Sequence, residues 1–137
     1  MILFEDLAVG QTASLGKTIT EADILMYAAV STDTNPLHLN AEAAKASIFG
    51  ERIAHGMLSA GLISAVLGTI LPGPGTIYLG QTLRFRRPVK IGDTVTATVE
   101  VTALDPVKKQ ATLKTVCTAN GKVVIDGEAQ VQPPSRP

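Results

Sequence analysis

The chain has 137 residues, enough for one domain with a proper core, and its twelve basic and twelve acidic residues cancel to a formal charge of zero. That balance argues against a general nucleic-acid binder, and aromatic content of 4% with no tryptophan argues against a base-stacking platform. The single Cys117 excludes an intrachain disulfide and a cysteine-rich zinc site.

At the start, Met1-Ile2-Leu3-Phe4 runs into Glu5-Asp6 with no basic segment, so no signal peptide is read. Leu7-Ala8-Val9-Gly10-Gln11 reads as a turn into a first strand, Thr12 to Ile19. Thr20 and Asp23 form the ends of a capping box, which predicts a helix over Ala22 to Val30 with Ile24, Leu25, Tyr27, Ala28 and Val30 available for a buried face. The helix runs out at Ser31-Thr32. A short helix is expected over Ala41 to Ala46, capped by Asn40.

After a connector ending at His55-Gly56, the most apolar helix runs from Met57 to about Ile70. Its apolar residues on all sides imply burial all round, and its small residues (Ser59, Ala60, Gly61, Ser64, Ala65, Gly68) imply close approach by a neighbour. The apolar stretch Met57 to Leu71 is broken by Ser59, Ser64 and Thr69 and falls short of the roughly 20 residues of a membrane span. A soluble, cytosolic protein is expected. Leu71-Pro72-Gly73-Pro74-Gly75 ends the helix. Its glycines are turn formers and not a phosphate cradle.

The rest is β: Thr76 to Arg86, Thr94 to Leu104 with Val95, Ala97, Val99 and Val101 alternating against polar residues, then Gln110 to Ala119 and Lys122 to Gln132 as a hairpin across Asn120-Gly121. Cys117 sits inside that alternation as a strand residue. The tail Pro133 to Pro137 is expected to fray. These elements add up to a single α+β domain over residues 1–132, an antiparallel sheet wrapped around one apolar helix. The exposed edges of such a sheet favour a dimer that extends it.

The candidate chemistry lies in Ser31-Thr32-Asp33-Thr34-Asn35-Pro36-Leu37-His38. Pro36 fixes its own φ and pushes Asn35 out of the α region, so Asp33 and His38 do not share one regular helix. Asn35 folds back on nearby backbone and stiffens the loop. A carboxylate and an imidazole aimed at one point can hold a water, one taking its proton while the other delivers a proton to substrate. The plainer alternative is a loop of ordinary turn formers with a solvated or core histidine.

The combination Asp33-Thr34-Asn35-Pro36-Leu37-His38, His55-Gly56-Met57, Tyr78-Leu79-Gly80-Gln81 and Phe85-Arg86-Arg87-Pro88-Val89 resembles the MaoC-like (R)-specific enoyl-CoA hydratases over about Leu3 to Val131. The resemblance implies a hot-dog fold, at least a homodimer, no cofactor beyond the coenzyme A of an acyl-CoA substrate, and for some members a role in supplying polyhydroxyalkanoate precursors. It implies that Asp33 and His38 are the catalytic pair and that the Gly56 N–H polarises the thioester carbonyl. Free N–H groups at a helix N-terminus suit that task independently. Ser64 matches a position the family places near the site and is held as supporting, as is Asn35 for the loop it tightens. The family's frequent Gly before the catalytic Asp is Thr32 here.

Other residues carry a bland reading beside the functional one. His55, introducing a helix, is read as structural before it is read as catalytic. Arg84, Arg86 and Arg87 suit the phosphates of coenzyme A, but strand alternation puts Arg84 and Arg86 on one face and Arg87 on the other, so the three cannot serve one site. A solvated strand face is the alternative. Competing functions on the same fold are a hot-dog acyl-CoA thioesterase, a dehydratase acting on acyl carrier protein, and a non-catalytic acyl-thioester-binding subunit.

Overall fold

A computed structural model describes residues 1–137. Alternating apolar residues build its sheet. Strands β1 (Thr12–Thr18), β2 (Ile77–Phe85), β3 (Thr94–Asp105), β4 (Gln110–Ala119) and β5 (Lys122–Gln132) form one antiparallel sheet in the order β1-β3-β4-β5-β2. In β3 the inward set Val95, Ala97, Val99 and Val101 is fully buried, and in β4 Ala111, Leu113, Thr115, Cys117 and Ala119 point the same way. Asn120 and Gly121 both adopt positive φ, as a two-residue hairpin turn requires.

The helices are α1 (Glu21–Ser31), α2 (Pro36–Leu39), α3 (Ala41–Lys45) and α4 (Gly56–Thr69). The capping box at α1 is present: Thr20 Oγ1 accepts from Asp23 N, and the Asp23 carboxylate accepts from Thr20 N. That backbone donor holds the Asp23 carboxyl below its ordinary pKa. Asn40 caps α3 as expected, its Oδ1 accepting from Glu42 N and Ala43 N. Helix α4 lies against the sheet, and Ile63, Val66 and Leu67 enter a core with Val99, Leu113, Ile125 and Val131. No helix is long and apolar enough to cross a membrane.

Two expectations are corrected. Helix α4 is not buried all round: Met57, Gly61, Ser64 and Gly68 form an open stripe opposite the buried Ile63, Val66 and Leu67. Gly61, Ser64 and Gly68 mark that open face while Ser59 and Ala60 are buried, and edge strand β2 also leaves Ile77, Tyr78 and Leu79 exposed. Nor does the tail fray freely. Pro133 to Pro137 have no regular structure, yet Phe4 N donates to the Pro134 carbonyl and Arg136 pairs with Asp6. The partner of that tail is a short 3₁₀ turn at Phe4–Asp6.

A third feature bears on the site. The pairing of β4 with β5 slips between Cys117 and Thr118, leaving Val124 as an extra residue. Val124 and Ile125 are therefore both buried, and the Val124 carbonyl accepts from both Arg86 N and Arg87 N. Strand β2 ends there, at Phe85.

Candidate active site

The 31–38 segment is shaped by caps. Helix α1 ends at Thr32 in the left-handed region, with φ 65 and ψ 10. Asp33 follows, its Oδ1 accepting from Asn35 N at 3.2 Å. Asn35 Oδ1 in turn accepts from Leu37 N at 3.0 Å, and Pro36 occupies the first position of α2. The supporting role of Asn35 is therefore that of a helix cap. The loop expected here contains a one-turn helix, which presents His38 one turn beyond Asp33.

His38 is buried and Asp33 exposed. The Nδ1 atom of His38 is 2.8 Å from the carbonyl of Ile53, which can only accept, so Nδ1 carries the proton. In the neutral ring Nε2 is then left with its lone pair. A carboxylate oxygen of Asp33 and a ring nitrogen of each of His38 and His55 lie within 4.8 Å of one another, which leaves room for a bridging water. These are also the donor types of a metal site. However, the two imidazoles are packed ring on ring, with centroids 3.9 Å apart and planes 31° apart. In addition, one nitrogen of each ring already faces a backbone carbonyl, His38 Nδ1 that of Ile53 and His55 Nε2 that of Asp33.

Gly56 opens α4, so its N–H has no acceptor within the helix. A β-carbon there would lie 2.5 Å from Cδ1 and Cε1 of Phe85, so the ring covers the helix start closely and would have to shift to admit a larger residue. Asp33, His38, Gly56 and Met57 line one cleft of about 410 Å³, walled by apolar residues such as Ile53 and Val89. An exposed carboxylate, an imidazole lone pair and a free N–H thus face one partly apolar space. This is the equipment for moving a proton beside a polarised carbonyl.

A family model described as "MaoC like domain" matches residues 7–127. The chain is 62% identical to an (R)-specific enoyl-CoA hydratase of Rhodospirillum rubrum, across 97% of this chain and 92% of that protein. It is 50% identical to a 3-hydroxybutyryl-CoA dehydratase of Methylorubrum extorquens, across 99% and 87%. The chain belongs to the MaoC-like family. Its fold is that of the solved MaoC-like hydratases. The (R)-hydratase of Aeromonas caviae involved in PHA biosynthesis superposes with a TM-score of 0.92 at 49% identity, covering 95% of this chain and 99% of that one.

Within this MaoC-like chain, Thr32 holds the left-handed conformation that glycine adopts without strain. Ser64 lies outside the cleft. It lines a second groove of about 550 Å³ on the open face of α4, with Tyr27, Gly61, Tyr78 and Leu83, and only Met57 belongs to both spaces. Arg86 and Arg87 both reach the cleft, contrary to the alternation rule, because β2 has ended before them. Arg86 pairs with Asp126 at 3.1 Å, whereas Arg87 donates to the Val123 carbonyl at 2.6 Å and has no carboxylate partner. Arg84 remains on the strand and does not line the cleft.

Sequence reasoning gave Ser59 no role in the site. It is 1% exposed, lines the cleft, and its hydroxyl has no hydrogen-bond partner. The available signal was its spacing, one turn before the buried Ile63 on the same helix face.

Proposed function

We propose that the protein is an (R)-specific enoyl-CoA hydratase, adding water reversibly to a trans-2-enoyl-CoA to give a (3R)-3-hydroxyacyl-CoA. The observation that carries this reading is the meeting of Asp33, His38 and the start of α4 in one cleft. A thioester carbonyl on the Gly56 N–H is polarised, and negative charge developing on its oxygen is met by the helix terminus. The water sits between the Asp33 carboxylate and His38 Nε2. Its oxygen bonds to C3, its proton passes to the pair, and the pair returns a proton to C2, so both residues end as they began. The names of the Rhodospirillum and Methylorubrum relatives support the same chemistry in its two directions.

The mechanism uses only side chains and backbone, so no resident cofactor or metal is proposed, and treatment with a chelator should leave the rate unchanged. Arg87, which lines the cleft without a carboxylate partner, is the best placed of the three arginines for a coenzyme A phosphate. Arg86 is partly neutralised by Asp126, and Arg84 is assigned to solvent. We propose a homodimer in which a second copy covers the open stripe of α4 and the apolar edge of β2. Light scattering on the purified protein tests it. A cytosolic location and supply of polyhydroxyalkanoate precursors fit this substrate class.

The activity test is loss of enoyl absorbance from crotonyl-CoA, with chiral analysis of the product and a free-thiol assay. Formation of (R)-3-hydroxybutyryl-CoA without thiol release supports the hydratase. Thiol release without hydration would make it a thioesterase.

A further inference from the structure

We infer that His55 is a positioning residue for this reaction, fixing the backbone at Asp33 and the ring of His38 from the wall of the same cleft. The inference rests on the hydratase reading for its kinetic consequence, but its geometry stands apart. The His55 ring is 2% exposed, and its Nε2 is 2.9 Å from the Asp33 carbonyl. A carbonyl only accepts, so Nε2 carries the proton, and in the neutral ring Nδ1 holds a lone pair. That Nδ1 is buried without a partner.

A buried imidazole with one nitrogen unsatisfied is a costly way to fill space. An aliphatic residue would pack there without the orphan atom. What an aliphatic residue would not supply is the bond to Asp33 and a flat face against His38. The His55 ring lies between Tyr27 of α1, at 4.7 Å and 56°, and His38 of α2, at 3.9 Å and 31°. It therefore touches the helix that leads into Asp33 and the ring that completes the pair.

The same connector grips the other end of the loop. Arg52 Nε donates to the His38 carbonyl at 2.7 Å while its NH1 pairs with Glu21 of α1 at 2.6 Å. Ile53 accepts from His38 Nδ1 and donates to the Leu37 carbonyl. Residues 52 to 55 thus hold the loop through bonds to the carbonyls of Asp33, Leu37 and His38 and to one ring nitrogen of His38. His55 acts on both members, and it directly precedes Gly56. One residue registers the acid, the imidazole and the helix terminus against each other.

Two substitutions separate its parts. His55→Phe keeps a ring and removes the donor, and His55→Gln keeps a donor at the Nε2 position and removes the ring. A misplacement of about 1 Å costs about 10²-fold in rate, so His55→Phe should lower kcat by about that factor and change KM by less than about threefold. His55→Gln should lose kcat too, less severely, with the folded fraction of each variant checked by thermal unfolding. A second readout is independent of turnover. The chain has two histidines, so isotope-labelled imidazole nitrogens in His55→Phe report His38 alone. Wild type should show His38 as a single Nδ1–H tautomer, and the variant should show mixed or exchanging forms. If wild type turns over no enoyl thioester, the hydratase reading fails while the imidazole spectrum still decides the positioning. The inference is overturned if both variants keep native kcat with unmoved His38 signals, or if kcat falls only as far as the folded fraction does.

Discussion

Along β3 every second residue from Val95 to Val101 is fully buried, and the strand is paired on both sides, to β1 and β4. Between Ser31 and Gly56, by contrast, only His38, Ala44, Ile53, Ala54 and His55 are buried. That segment is held by individual bonds to particular carbonyls: Ile53 with His38, Asp33 with His55, His38 with Arg52. Many small, similar terms fix the sheet, so losing one weakens everything slightly. A few dissimilar bonds fix the loop, so losing one misplaces a reacting group while the core stays intact. Stability and activity should therefore respond to different substitutions.

The largest expected effect lies on the loop side. Asp33→Asn and His38→Gln should each lower hydration by about 10²–10⁴-fold, the usual range for a positioned acid or base, with unfolding temperatures close to wild type. Near-native turnover in either variant would remove the paired mechanism. The sheet side is probed by Ile63→Ala, which empties a fully buried position where α4 meets the strands. It should cost about 2–5 kcal/mol in denaturant unfolding while the folded fraction keeps its kcat.

Gly56→Ala sits between the two regions. The new methyl meets the Phe85 ring, but that ring is half-exposed and yields toward solvent. Stability should change by less than about 1 kcal/mol, whereas the rate should fall about 10²-fold because the carbonyl no longer reaches its donor. A rate loss matched by an equal loss of folded protein would erase the contrast. The smallest effect is expected at Thr32→Gly, which relieves a β-branched residue at φ 65 and should stabilise the protein by about 1 kcal/mol, readable as a higher unfolding temperature.

The contrast also explains what was legible in the sequence. Strands β4 and β5 were readable to their end residues because alternation and Asn120-Gly121 act locally, and so was the Thr20–Asp23 capping box. Helix α2 was missed because four residues carry no helical period; its signal was Asn35 as a cap with Pro36 behind it. The open face of α4 was hidden because Gly61, Ser64 and Gly68 read as packing residues equally well toward a sheet or toward solvent. Arg86 and Arg87 were split between faces because the bulge that ends β2 lies on β5, some forty residues later. The Asp33–His38 pair was legible as a possibility from residue type, and its link to Gly56 came from resemblance. Nothing local to His55 points to the Asp33 carbonyl, a contact made across 22 residues.

The central claim is that the cleft delivers water to C3 and leaves the thioester intact. The direct measurement is turnover of crotonyl-CoA in heavy-oxygen water, with the position of the label read by mass spectrometry. Label in the C3 hydroxyl of (R)-3-hydroxybutyryl-CoA, with the thioester unbroken, is the predicted result. Label in a free carboxylate, with coenzyme A released, would contradict it.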